Sequence, residues 1–224
     1  MSDERGVTGA RLPRRLLALT PGTLRDGATT STLLRGLGQA FEAGLPAVLL
    51  REPELSDGAL HALASEVVEL AARFEDRWVG VHDRVHVALA AGADGAHLGF
   101  RSMTPVDARA VAGDALALGF SAHAHDDAPR DWEGADYLTF GPVRETPSKQ
   151  GLLEPTGFER LEEAVRLADR PVFALGGLTP EDVRSTHAAG ANLAALGGIL
   201  GAGDPAGRTR AYLAALDAVA EVSP

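Results

Sequence analysis

The sequence predicts an α/β protein built as a (β/α)8 TIM barrel in a single domain. Three observations predict it. Eight short apolar runs recur along the chain, each ending in a polar or Gly-rich turn. Such runs mark strands buried on both faces, as in a parallel sheet. Stretches of helical periodicity fall between them. No linker, low-complexity segment or composition shift divides the 224 residues, and one α/β barrel fills ~200–250 residues. A doubly wound open sheet is the runner-up, weakened because no GxGxxG follows the first strand.

The strand runs are 16–21, 47–52, 79–83, 95–99, 117–123, 137–143, 171–177 and 193–200. Between the second and third, Leu60, Leu63, Val67, Leu70 and Phe74 form one apolar stripe at spacings of three and four, the pattern of a half-buried helix. Ser56 stands at its N-cap with Asp57 in the first turn. Thr104-Pro105-Val106-Asp107 and Thr179-Pro180-Glu181-Asp182 both read as helix starts, with a capping hydroxyl and proline at the first helical position. A last helix is expected from Ala206 to Ala220. The charged stretch 1–14 reads as a disordered lead-in, and 15–224 as the barrel domain.

Composition excludes several functions. The net charge is -10, which opposes coating a nucleic acid. There is no cysteine, hence no disulfide, thiolate metal site or thiol nucleophile. No apolar run is long enough to span a membrane. The N-terminus lacks the apolar core of a secretory signal. The expected location is cytoplasmic.

Active sites of such barrels lie at the C-terminal ends of the strands, which turns the strand order into a site list. The ends supply Arg51 and Glu52, His82 and Asp83, His97, His123 and His125. The pairs Gly176-Gly177 and Gly197-Gly198 close strands 7 and 8, where barrels often bind phosphate on backbone N–H groups and a short helix. The loop after strand 6 carries Thr146, Ser148 and Lys149. Lys149 is the single lysine beside 20 arginines, and its compact ammonium suits a phosphate. A histidine side chain can pass a proton either way near neutral pH, so His123 suits proton transfer. His97, among small neighbours, reads as an inward structural residue. His125 and His187 read as surface positions, and His61 and His86 as helical packing or solvent residues. Asp83 reads as a salt-bridge partner of Arg84.

Taken in order, Leu49-Leu50-Arg51-Glu52, His82-Asp83-Arg84-Val85, 92–99, 119–123, Gly134-Ala135-Asp136-Tyr137, Gly141-Pro142-Val143, Thr146-Pro147-Ser148-Lys149 and 174–178 resemble the thiamine phosphate synthase / TenI superfamily. The resemblance runs from Leu16 to Leu216. It implies one of two chemistries. The synthase joins a pyrimidine diphosphate to a thiazole phosphate with Mg²⁺ and releases pyrophosphate. The TenI branch is a tautomerase that aromatises a carboxythiazole phosphate without a metal.

The chain departs from the synthase pattern on the diphosphate side. Pro53 stands where the motif has lysine, His82 where it has asparagine, and Phe100 and Ser102 where it has Gln-x-Asp. Losing a cation and a metal carboxylate together should weaken pyrophosphate departure, whereas the thiazole-phosphate side is kept. The expectation is therefore a TenI-like thiazole tautomerase, an isomerase with no metal and no required cofactor. His123 would be the acid/base. Thr146, Ser148, Lys149, Gly176, Gly177, Gly197 and Gly198 would hold the phosphate, and Arg51, Glu52, His82, Asp83 and His97 would touch the rest of the substrate. Arg51 or His82 would hold its carboxylate. The alternatives are the synthase, a transferase needing Mg²⁺, and a non-catalytic regulator that binds thiazole or thiamin phosphates. The partner is a small-molecule thiazole phosphate, with no nucleic acid or membrane; a homodimer is compatible with this reading.

Overall fold

The computed structural model describes residues 9–123, 132–146 and 154–221. Eight strands form a closed parallel barrel in chain order: β1 (Leu16–Leu19), β2 (Ala47–Leu50), β3 (Trp78–His82), β4 (Gly95–Leu98), β5 (Ala117–Ala122), β6 (Tyr137–Phe140), β7 (Val172–Ala174) and β8 (Asn192–Leu196). Closure is made by β8 on β1, with Leu17 opposite Ala194 and Leu19 opposite Leu196. The helices are α1 (Ser31–Glu42), α2 (Asp57–Ala71), α3 (Val85–Ala90), α4 (Pro105–Ala112), α5 (Gly157–Leu167), α6 (Val183–Ala188) and α7 (Pro205–Ala220). No described helix is long and apolar enough to cross a membrane.

The strands are shorter than the apolar runs, mostly at their C-terminal ends. Val143, Leu178 and Ile199 lie beyond β6, β7 and β8, yet each is buried. The apolar run therefore reports burial, and burial continues into the loops over the barrel mouth after the ladder bonds have stopped. The helix starts follow their caps. Ser56 and Thr104 accept N–H bonds from Ala59 and Asp107. Asp204 accepts from Gly207 N–H, which starts α7 at Pro205. Thr179 and Asp182 form a reciprocal capping box over a 3-10 turn, Pro180–Asp182, that leads into α6.

Two cores result from the period-2 alternation of each strand. Between sheet and helices lie residues such as Leu16, Val48, Leu50, Val79 and Leu138. Inside the barrel lie Leu17, Leu19, Leu49, Trp78, Tyr137 and Phe173. Glycines make room for the aromatics: a Cβ at Gly80 would lie 2.3 Å from the Trp78 ring, and one at Gly119 would lie 2.3 Å from both His97 and Tyr137. The N-terminal mouth is stoppered. Leu12 is buried, Arg11 bonds Asp94 at 2.8 Å, and the Arg11 carbonyl accepts from Trp78 Nε1. Arg11 and Leu12 thus pack onto the barrel, although they fall in the stretch expected to be a lead-in.

Candidate active site

The C-terminal mouth divides into two halves. One is built on β1 to β4. Thr20, fully buried after β1, accepts the Arg51 N–H at 2.8 Å and so sets where Arg51 leaves β2. A Cβ on Gly22 would lie 2.9 Å from an Arg51 Nη, so the guanidinium lies under the loop after β1. No acid among the described residues forms an ion pair with it. Glu52 is buried, and its two carboxylate oxygens accept from Gly22 N–H and Leu24 N–H. It braces that loop through both carboxylate oxygens.

His82 ends β3. Asp83 follows with φ +70, a left-handed turn that Asp tolerates better than most residues, and its N–H donates to the His97 carbonyl at 2.8 Å. The Asp83 carboxylate is exposed. It does not take the Arg84 partnership expected from the sequence. Arg84 pairs instead with Asp57 at 3.2 Å and donates to the Pro53 and Leu55 carbonyls, pinning the loop after β2. After β4, Ser102 Oγ accepts from Gly99 N–H and Ser102 N–H donates back to the Gly99 carbonyl. This tight turn leaves Phe100 exposed at the rim with Arg101 stacked on it.

Below these residues lies a polar layer that the sequence reading missed apart from His97. His97 Nδ1 meets Tyr137 Oη at 3.3 Å, and Nε2 meets Ser121 Oγ at 3.0 Å and Thr139 Oγ1 at 3.2 Å. The period-2 rule supplies the signal: His97, Ser121 and Tyr137 with Thr139 occupy inward positions of β4, β5 and β6. The His82 ring lies 6.0 Å from His97, and His97 lies 5.4 Å from Tyr137. Burial, reinforced by Arg51 and opposed by Asp83, pushes His82 from 6.5 down to about 4. Burial, then His82, holds His97 well below its ordinary range. Burial raises the Tyr137 hydroxyl, so it stays protonated.

These shifts predict a stability slope. The unfolded chain binds a proton on His82 near 6.5, the folded chain only near 4. Stability is therefore full above 6.5 and falls as pH drops towards 4. By pH 5 the loss from His82 is about 2 kcal/mol, and His97 adds to it in the same direction. The urea midpoint should fall between pH 7 and pH 5, and His82→Gln should flatten that fall. Equal midpoints at the two pH values would contradict the neutral imidazoles.

The second half is built on β6, β7 and β8. Gly176, Gly177 and Gly197 have φ of +104, +64 and +74. A Cβ on Gly177 would lie 2.1 Å from the Glu145 carbonyl oxygen, so the loop after β6 is pressed onto the turn after β7. Arg144 N–H donates to the Gly176 carbonyl, and the Arg144 guanidinium bonds Asp182 at 2.7 Å, fastening the same loop to the α6 cap. Among the described residues, no main-chain carbonyl takes the N–H of Gly177 or Gly198. Paired glycines with unclaimed N–H groups suit a phosphate. The turn after β8 runs 197–203 without the short helix expected there. Thr146 is half-buried beside Gly177's neighbour Glu145, and His123 is half-buried directly after β5. Ser148, Lys149 and His125 lie outside the described residues.

Fold and site together define a (β/α)8 barrel whose mouth pairs a glycine-lined, anion-receptive turn with a half carrying Arg51, His82 and Asp83. The comparisons narrow this class. Residues 18–199 match the family described as thiamine monophosphate synthase, and the chain belongs to that family. A thiamine-phosphate synthase of Salinispora arenicola is 38% identical over 194 residues, covering 86% of this chain and 93% of the relative. One from Gloeobacter violaceus is 40% identical over 80% of this chain, a stretch that makes up 52% of that protein. The solved thiamine phosphate pyrophosphorylase of Pyrococcus furiosus superposes with a TM-score of 0.78 at 26% identity, covering 92% of this chain and 96% of that one. These relatives overturn the expected TenI-like tautomerase and its isomerase class. Relatives that match along most of the chain are named as synthases, whatever the departures at positions 53, 82, 100 and 102.

Proposed function

We propose that this protein is a thiamine-phosphate synthase, a transferase that joins hydroxymethylpyrimidine diphosphate to thiazole phosphate and releases pyrophosphate. The observation that carries it is the near-full-length similarity to the Salinispora arenicola synthase. The two-sided mouth supports it. The thiazole phosphate sits on the N–H groups of Gly176, Gly177, Gly197 and Gly198, and the family resemblance adds Thr146, Ser148 and Lys149 as its side-chain partners. The diphosphate faces Arg51 and Asp83, and neutral His82 with the His97 layer forms the floor between the two substrates. The thiazole nitrogen bonds to the pyrimidine methylene as the carbon–oxygen bond to diphosphate breaks, and the electron pair leaves on pyrophosphate. Arg51 stabilises the negative charge that develops there.

The family resemblance brings Mg²⁺ with the diphosphate, and the exposed carboxylate of Asp83 suits an ion that shares its remaining ligands with phosphate oxygens and water. Asp83 is the residue that would hold it. Bound there, the ion would neutralise charge on the leaving group.

The test is to incubate the protein with both substrates and Mg²⁺ and follow products by ³¹P NMR. Thiamine phosphate and pyrophosphate should appear in equal amounts. No thiamine phosphate at enzyme concentrations equal to substrate would overturn the reading.

A further inference from the structure

Two polar side chains on α7 reach the backs of the glycine turns, and the joining reaction itself calls for neither. Arg208 and Tyr212 stand four residues apart, so they share one face of the helix. Tyr212 is fully buried, and its hydroxyl donates to the Leu178 carbonyl at 2.8 Å, in the turn after β7. Arg208 Nε donates to the Gly198 carbonyl at 3.1 Å, in the turn after β8. The two side chains also meet each other, for the Arg208 guanidinium lies over the Tyr212 ring at 5.5 Å. A Cβ on Gly198 would lie 2.9 Å from Tyr212 Oη, so the glycine at 198 lets the helix come this close. Asp204 accepts from Gly207 N–H and fixes where α7 begins, directly behind the turn after β8.

A trans peptide points its C=O and its N–H in opposite directions. The Gly198 carbonyl is turned back onto Arg208, so the N–H that follows it, on Ile199, is turned away from that side chain. Among the described residues, no main-chain carbonyl takes this N–H. The Leu178 carbonyl is turned onto Tyr212, and the next N–H, of Thr179, donates to the Asp182 carboxylate. That peptide is held on both sides. Glycine turns have little stiffness of their own, and donors serve an anion best when they are fixed before it arrives. We infer, resting on the synthase reading, that Arg208 and Tyr212 form one clasp behind the thiazole-phosphate site, as positioning residues that set the spacing of the two glycine turns, and with it the phosphate-dependent part of the affinity, without touching the substrate.

Position 208 allows placement to be separated from charge. The amide nitrogen of a glutamine stands as far along the side chain as Nε of arginine. Arg208→Gln therefore keeps a donor for the Gly198 carbonyl and removes the charge. Arg208→Met keeps a similar reach and removes both. At position 212, Tyr212→Phe keeps the ring and removes only the hydroxyl that donates to Leu178.

The experiment measures, by calorimetry, the Kd of thiazole phosphate and of the same thiazole alcohol without its phosphate. The proteins are wild type, Tyr212→Phe, Arg208→Met, Arg208→Gln and the double variant of Tyr212→Phe with Arg208→Met. The quantity read is the ratio of the two constants, which a general loss of stability does not move. Wild type should prefer the phosphate. Tyr212→Phe and Arg208→Met should each cut that preference about 10-fold, the effect of losing one hydrogen bond. The double variant should cut it by much the same factor rather than about 100-fold, because both residues set one spacing. Arg208→Gln should keep most of the wild-type preference. Unchanged ratios in Tyr212→Phe and Arg208→Met would overturn the inference. So would an Arg208→Gln that falls as far as Arg208→Met, which would make the charge the cause, or additive losses, which would make two independent contacts. Arg208 is half-buried, so its two variants still decide should Tyr212→Phe fail to fold by circular dichroism. A wild type with no preference for the phosphate would remove the phosphate site and the clasp together. None of these ratios depends on turnover. A protein that shows them and makes no thiamine phosphate would sink the synthase reading and leave the clasp standing.

Discussion

Replacing Gly177 with alanine is expected to raise the KM for thiazole phosphate at least about 100-fold, a loss of roughly 2.8 kcal/mol of binding, while the barrel stays folded. Two effects combine. Gly177 has φ +64, which costs a side-chain-bearing residue about 1–2 kcal/mol. The added methyl also has nowhere to go: it would lie 2.1 Å from the Glu145 carbonyl oxygen and 2.8 Å from Arg144 Cβ. That neighbour is backbone, held by the Arg144 N–H bond to Gly176 and by the Arg144–Asp182 ion pair. Relief requires lifting the loop after β6, and Thr146 moves with it. Gly197→Ala is the internal control. Its φ is also positive, +74, but its added Cβ meets open space. It should show the backbone strain alone, a Tm lower by roughly 2–4 °C per kcal/mol, with a much smaller rise in KM. Calorimetric binding of the pyrimidine diphosphate should be the same in both variants. Equal KM values for Gly177→Ala and wild type would mean that the loop after β6 does not close over the phosphate.

The strand order, and which residues stand at the strand ends, were legible in the sequence for one physical reason. A parallel barrel buries both faces of every strand, so each strand shows as an apolar run, and each run's polar end marks the mouth. The same signal overshot the strand ends, to Val143 after β6 and Ile199 after β8, because these are buried beyond the ladder. The partner of a charge was harder to read. Glu52 and Arg84 both stand in motif positions, yet one braces backbone amides and the other clamps Asp57 and two carbonyls. Such partners come from residues about 30 positions away, which spacing does not reveal. The polar layer of Ser121, Tyr137 and Thr139 around His97 was open to a period-2 reading. The reading followed strand ends and passed over strand interiors. The tautomerase expectation failed differently. It weighed four changed positions on one half of the mouth as though each group were indispensable. Similarity along the whole chain outweighs such a local subtraction.

If position 53 supplies no cation, Arg51 must carry more of the diphosphate charge than a site with both groups would ask of it. Arg51→Gln should then lower kcat/KM for the pyrimidine diphosphate by about 10²–10³, the range for removing one donor to developing charge, with the KM for thiazole phosphate unchanged. The geometry supports a specific role over a packing one. The Arg51 backbone is fixed by Thr20, so the substitution leaves its strand end in place. The guanidinium has no acid partner among the described residues, so its loss strands no buried carboxylate. A second readout separates charge from shape. Arg51 is one of the groups that hold His82 down near 4, so Arg51→Gln should move the His82 titration upward in NMR, whereas Arg51→Lys, which keeps a cation, should leave it lower. The pairing with position 53 completes the argument. A lysine introduced by Pro53→Lys lies on the loop that Arg84 pins through the Pro53 carbonyl, a bond that the substitution retains. In the Arg51→Gln background it should recover part of the lost kcat/KM without returning the His82 titration to its wild-type value. Full activity in Arg51→Gln alone would show that the diphosphate is held elsewhere on the mouth.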